Sequence, residues 1–195
     1  MFAHKLSQFS QPITIIHPGE FLASSDDIII STVLGSCVSV ALRDAKEGIG
    51  GLNHFMLPGY FDDRSHFESQ SAKYGMYAME LLINDLLDLG CRKDRLRAKV
   101  FGGGSVLGRG AERSNKVPKS NIDFAFDYLK TEGIPVECSD TGGNAARKIL
   151  FFVRDGKVLL KRITGTFIRA VDIEERDYLD RIKKRQAAAG DVTLF

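Results

Sequence analysis

Three short runs, IIISTVL at 28–34, VSVALR at 38–43 and IGGLNHFML at 49–57, follow one another with turn signals at Gly35-Ser36 and Lys46-Glu47-Gly48 between them. Each is β-branched or alternates apolar with small residues, so each reads as a strand. The short gap between the second and third predicts an antiparallel hairpin. Alternation along this hairpin decides which side chains share a face, and that bears directly on what the chain can do.

Downstream the period changes. Ala72, Met76, Met79, Ile83, Leu86 and Leu87 recur at helical spacing, with Ser71 placed to cap the start and Gly90 to end the helix in a left-handed residue. A strand, AKVFGG, follows at 98–103. Ser120 and Asp123 resemble a capping box, predicting a second helix that carries Ile122, Phe126 and Leu129 and stops at Gly133, with Pro135 beyond. Residues 134–138, 148–154 and 157–163 read as three further strands, the last two joined at Asp155-Gly156. From Asp172 to Ala189 charge is dense and the apolar row is thin, at Ile173, Tyr178 and Ile182, which predicts a solvated helix or a tail. Sequential hairpins with separate helices predict an α+β fold: one domain, a layered β-sheet core, and two main helices packed on one face. Its core is expected over about residues 18–165, with 172–195 as the charged C-terminal segment.

Length and charge limit the function classes. At 195 residues with 44% apolar content, the chain can bury one substantial core. Lysine and arginine number 27 against 25 acidic residues, and a net +2 supplies no field that would single out nucleic acid. The opening MFAHKLSQFS lacks the apolar centre of a signal peptide, and no apolar stretch is long enough to cross a bilayer, so a cytoplasmic location without membrane insertion is expected. Cys37, Cys91 and Cys138 are odd in number and lack CxxC spacing, which argues against a disulfide framework and against zinc. Each is expected to be a free thiol, and no metal or cofactor is expected.

The glycines at 102, 103, 104 and 108 follow a strand but fit neither a dinucleotide loop nor a Walker loop. They read as a turn that lets backbone pass close to a neighbour, and such a turn can still line a site. His4 and His17 lie in a poorly patterned N-terminal segment, and His66 in a polar loop. Cys37 and His54 stand apart. Alternation puts Cys37, Ser39 and Ala41 on the smaller, more polar face, where a substrate has room, and the hairpin brings the His54 ring within reach of the sulfur. A free thiol is only slightly ionised near neutrality, and an adjacent imidazolium favours the attacking thiolate. Sulfur and ring are therefore expected to meet across a cavity open to solvent.

The order LGSCVSVALRD, GGLNHFMLPG, KVFGGGSVL, GIPVECSDTGG and RKILFFVRDGKVLLKRI, over about residues 18–165, resembles the CheD family of chemoreceptor glutamine deamidases. The resemblance implies a protein-glutamine glutaminase, a cysteine-dependent amidohydrolase acting on methyl-accepting chemotaxis receptors, with an architecture similar to toxin-type deamidase catalytic domains. It implies Cys37 as nucleophile, His54 as general base, and a hydroxyl six positions before the cysteine as third member. That position is Ser31, with Thr32 adjacent, and either hydroxyl can serve. Backbone N–H groups about Ser36 and Cys37 are candidate oxyanion donors, and Gly35 keeps the turn clear for substrate. A CheC-type phosphatase is a further partner the resemblance brings. Two other readings use the same residues: a different thiol hydrolase, and a regulatory module that binds a partner without turnover.

Overall fold

The computed structural model describes residues 9–57, 70–106, 116–163 and 167–188. His4, His66 and Gly108 lie outside them. Among the described residues nine strands and three α-helices follow in the order β1 (Ile13–Ile15), β2 (Phe21–Ser24), β3 (Ile29–Leu34), β4 (Val38–Asp44), β5 (Ile49–Asn53), α1 (Gln70–Asp88), β6 (Leu96–Gly102), α2 (Lys116–Thr131), β7 (Val136–Thr141), β8 (Ala146–Phe152), β9 (Val158–Ile163) and α3 (Phe167–Ala188). They build two sheets, β1-β3-β8-β9 and β2-β5-β4-β6-β7.

The expected hairpin is β4–β5, antiparallel with Ala41 opposite Leu52, and β8–β9 form a second antiparallel pair. Two pairings are parallel: β1 with β3, and β6 with β7 across α2. Period-two alternation sorts β4 between two cores. Val38, Val40 and Leu42 enter the layer beneath α1 and α2, with Met79, Leu82, Phe124 and Leu129. Cys37 and Ala41 face the first sheet and pack in the other layer with Ile30, Ile149 and Phe151. Helices α1 and α2 therefore cover one face of the five-stranded sheet, as expected, and the four-stranded sheet covers the other.

Each of the three helices differs from expectation for a local reason. Helix α2 begins at Lys116 rather than at Ser120. Pro118 sits in its first turn, where a missing N–H costs nothing, and Ser120 is buried inside the helix. Asp123 pairs with Lys119 one turn back instead of closing a capping box. Helix α1 begins at Gln70, so Ser71 falls within it, while its expected end is marked by Gly90 at φ 101°. Helix α3 is the third main helix, where two were expected, and it is not solvated all round. Val171, Glu175, Tyr178 and Ile182 are buried at i, i+4, i+7 and i+11, and Ile173, expected in the apolar row, is 59% exposed.

Candidate active site

The chain crosses from one sheet to the other at Gly35-Ser36-Cys37, between β3 and β4. The carbonyls of this corner are all held from behind. Gly104 N–H donates to the Gly35 carbonyl at 2.7 Å, Asn121 Nδ2 to Ser36 at 2.9 Å, and Gly103 N–H to Cys37 at 2.7 Å. With three successive carbonyls turned one way, the three N–H groups converge on the other side as a nest suited to negative charge. The glycine turn thus supports the corner that carries Cys37. Gly102, at φ 110°, passes so close that a Cβ there would lie 2.2 Å from the Cys37 carbonyl oxygen.

His54 lies one residue beyond β5, not within the strand. Its register is fixed by Val38 and Phe55, which exchange N–H···O bonds of 3.0 and 2.9 Å. Val38 and Phe55 share the layer under the helices, so Cys37 and His54, one position along each strand, both point to the opposite face. The sulfur of Cys37, a ring nitrogen of His54 and a carboxylate oxygen of Glu175 lie within 4.8 Å of one another.

Thr32 brings the third side chain from β3. Its Oγ1 donates to the Ile16 carbonyl at 2.7 Å and lies 2.7 Å from His54 Nδ1. A hydroxyl has one proton, so with that proton given to Ile16, Nδ1–H must be the donor to Thr32. The ring is the Nδ1–H tautomer, and Nε2 keeps a free lone pair. Among the described residues, Nε2 is the buried side-chain nitrogen or oxygen that has no hydrogen-bond partner. Ser31 alternates with Thr32 along β3 and is directed to the other face, so the geometry brings Thr32 and not Ser31 to His54.

Two expectations are overturned here. The expected meeting across a cavity open to solvent is not seen among the described residues, where Cys37 is 0% and His54 1% exposed. Nor is the pair a thiolate and an imidazolium. Burial, with Glu175 beside it, pushes the Cys37 thiol up, and burial, with His17 nearby, pulls His54 down to about 3, so both are neutral near pH 7. The other thiols stand elsewhere, Cys91 buried at the end of α1 and Cys138 exposed on β7. His17 is exposed, its Nδ1 2.7 Å from Glu174 Oε1 on α3.

Glu175 fills the space that alternation left for substrate. Its Oε1 accepts Gly35 N–H at 2.8 Å and Cys37 N–H at 3.1 Å, and its Oε2 accepts Ser36 N–H at 2.8 Å and Ser36 Oγ–H at 2.6 Å. A sulfur, an imidazole and a carboxylate this close form a ligand set for a soft cation, but these four donors already occupy the carboxylate's lone pairs.

Comparison with known proteins gives the chain its family. Residues 56–162 match the family model described as CheD chemotactic sensory transduction. A relative from Laribacter hongkongensis, named "Probable chemoreceptor glutamine deamidase CheD", is 43% identical over 96% of this chain and 89% of its own. One of the same name from Herminiimonas arsenicoxydans is 45% identical over 96% and 91%. The chain belongs to the CheD family. Among solved structures, a Neisseria meningitidis protein of the DUF152 family is similar with a TM-score of 0.49 at 9% identity, over 73% of this chain and 68% of that one.

In this CheD-family chain, sequence reasoning missed Asn121 and Glu175. Asn121 is 0% exposed in the middle of α2, its Oδ1 accepting Leu57 N–H at 2.8 Å while its amide holds Ser36. A buried amide on a helix whose start was misplaced gave no signal. Glu175 did leave one, because it stands on the same helical row as Tyr178 and Ile182. Among the described residues no helix is long and apolar enough to cross a membrane.

Proposed function

We propose that this chain hydrolyses glutamine carboxamides of chemoreceptors to glutamate, as a cysteine-dependent protein-glutamine deamidase in which Cys37 attacks, His54 moves the protons and Thr32 orients the ring. The observation that carries the reading is the Thr32–His54 bond of 2.7 Å, which commits Nδ1 and leaves Nε2 without a partner on a ring that has a nitrogen within 4.8 Å of the thiol sulfur. A neutral imidazole next to a neutral thiol is a base waiting for a proton.

The chemistry follows from that state. As a carboxamide enters, the Cys37 proton passes to Nε2 while Sγ bonds to the amide carbon. The oxyanion takes the N–H groups of Gly35, Ser36 and Cys37 in place of the Glu175 carboxylate that holds them at rest, while their carbonyls stay bonded on the other side. His54, now protonated at both nitrogens, returns the Nε2 proton to the departing nitrogen, since amide ion is too poor a leaving group, and ammonia leaves. Water gives a proton to Nε2, adds to the thioester and releases glutamate with the thiol restored. Thr32 holds the ring through both transfers and supports the imidazolium by accepting from Nδ1–H. Ser31 has no role in this scheme.

A purified cytoplasmic fragment of a chemoreceptor, incubated with the chain and read by peptide mass, tests the reading. Gain of the amide-to-acid mass at particular glutamines, absent with Cys37→Ala, is the expected result. Conversion that persists in Cys37→Ala rules out the mechanism.

A further inference from the structure

Glu175 is 4% exposed, and the partners of its carboxylate are three backbone N–H groups and one hydroxyl. A carboxylate so placed has lost its water and is repaid only by this nest. The nest fits an acid better than an amide. Both Oε atoms receive two protons each, whereas a carboxamide would turn an NH2 toward one N–H and forfeit that bond. Glutamate is also what deamidation of glutamine leaves. Here it is delivered by a helix, with Val171 four residues before it and Tyr178 and Ile182 three and seven residues after it, all buried against the core. The fit is close: a Cβ on Gly35 would lie 2.9 Å from Oε2. Tyr178, hydrogen-bonded to Tyr74 of α1, and Glu174, bonded to His17, fasten the same helix on either side.

We propose that α3 is a tethered product mimic, which holds the Glu175 carboxylate where the product glutamate sits and lies in the groove that receives a substrate helix. The inference rests on the Cys37–His54 reading above and deepens it. The resting chain is closed by its own product-like side chain, and a receptor helix must displace α3 to react. The groove favours a helical segment whose glutamine has apolar residues four positions before it and three and seven after it. A carboxylate that served only to anchor α3 would not need to stand within 4.8 Å of both the sulfur and the imidazole.

Glu175→Gln turns the mimic into a substrate. Sγ would bond to the side-chain amide carbon, the C–N bond would break with release of ammonia, and water would restore the thiol and leave glutamate at position 175. In intact full-length Glu175→Gln, incubated alone and digested, the peptide covering position 175 is expected to shift from the amide mass to the acid mass. The rate should be independent of protein concentration, and Glu175→Gln/Cys37→Ala should keep the amide. A second variant, Ile182→Asp, loosens the far end of α3 and is expected to raise the alkylation rate of Cys37, mapped by peptide, by about tenfold or more. An amide that persists at position 175 in Glu175→Gln while the wild type converts a receptor fragment overturns the mimic and leaves the deamidase reading standing. Absence of conversion in both reactions sinks both. An unchanged Cys37 alkylation rate in Ile182→Asp overturns closure by α3.

Discussion

Thr32 Oγ1 stands 2.7 Å from His54 Nδ1 and 2.7 Å from the Ile16 carbonyl, and the single proton of the hydroxyl is committed to the carbonyl. That relation fixes the imidazole tautomer without a carboxylate. It ties the first sheet, through β3, to a histidine placed by the second.

Thr32→Val keeps the shape and removes the acceptor, so the ring is free to present the wrong nitrogen. Turnover on a receptor fragment should fall by roughly two orders of magnitude, Thr32→Ser should restore most of it, and Ser31→Ala should leave it near wild type. Steady-state rates for the three variants decide the point. Equal losses in Ser31→Ala and Thr32→Val would contradict the assignment.

Burial of neutral His54 makes stability depend on pH with a definite sign. Its folded value of about 3 lies below the unfolded value near 6.5, so between them the unfolded chain binds the extra proton and stability is lost as pH falls. This residue alone should make the chain roughly 2 kcal/mol less stable at about pH 5 than at pH 7. Urea midpoints for wild type and His54→Gln, compared at the two pH values, should show the smaller drop in the variant.

The Cys37 thiol is pushed up by burial and by Glu175, whereas Cys138 is exposed. Alkylation of the native chain should therefore label Cys138 first. Labelling of Cys37 should be slow and should rise only above the pH range of a free thiol, about 8.5. Peptide-resolved labelling against pH measures this, and in urea the difference between the two should vanish.

Asn121 satisfies the Ser36 carbonyl and the Leu57 N–H, both from a fully buried position. Asn121→Ala leaves two buried groups without partners and should cost about 2–4 kcal/mol, seen as a lower urea midpoint. The corner also loses one of the bonds that turn its N–H groups inward, so kcat should fall in molecules that remain folded.

The hairpin was legible because a short gap between two alternating runs determines both pairing and facing, and that alone put Cys37 and His54 on one face. The choice between Ser31 and Thr32 was open because the sequence does not say which face of β3 meets the second sheet. In the structure the period of two puts Thr32, with Ile30 and Leu34, on the side of β3 that meets His54. Glu175 was hidden for a different reason. Its contacts span 138 to 140 residues of chain, and a glutamate within a charged segment looks solvated unless its helical row is traced. The closed site followed from the same omission, since the space seen beside Cys37 was real in the hairpin and filled by α3.

Conversion of glutamine to glutamate by Cys37 and His54 acting together is tested most directly by following the mass of a chemoreceptor fragment incubated with wild type, Cys37→Ala and His54→Ala. Amide-to-acid conversion at discrete glutamines by wild type only is the predicted result. Conversion undiminished in either variant would contradict it.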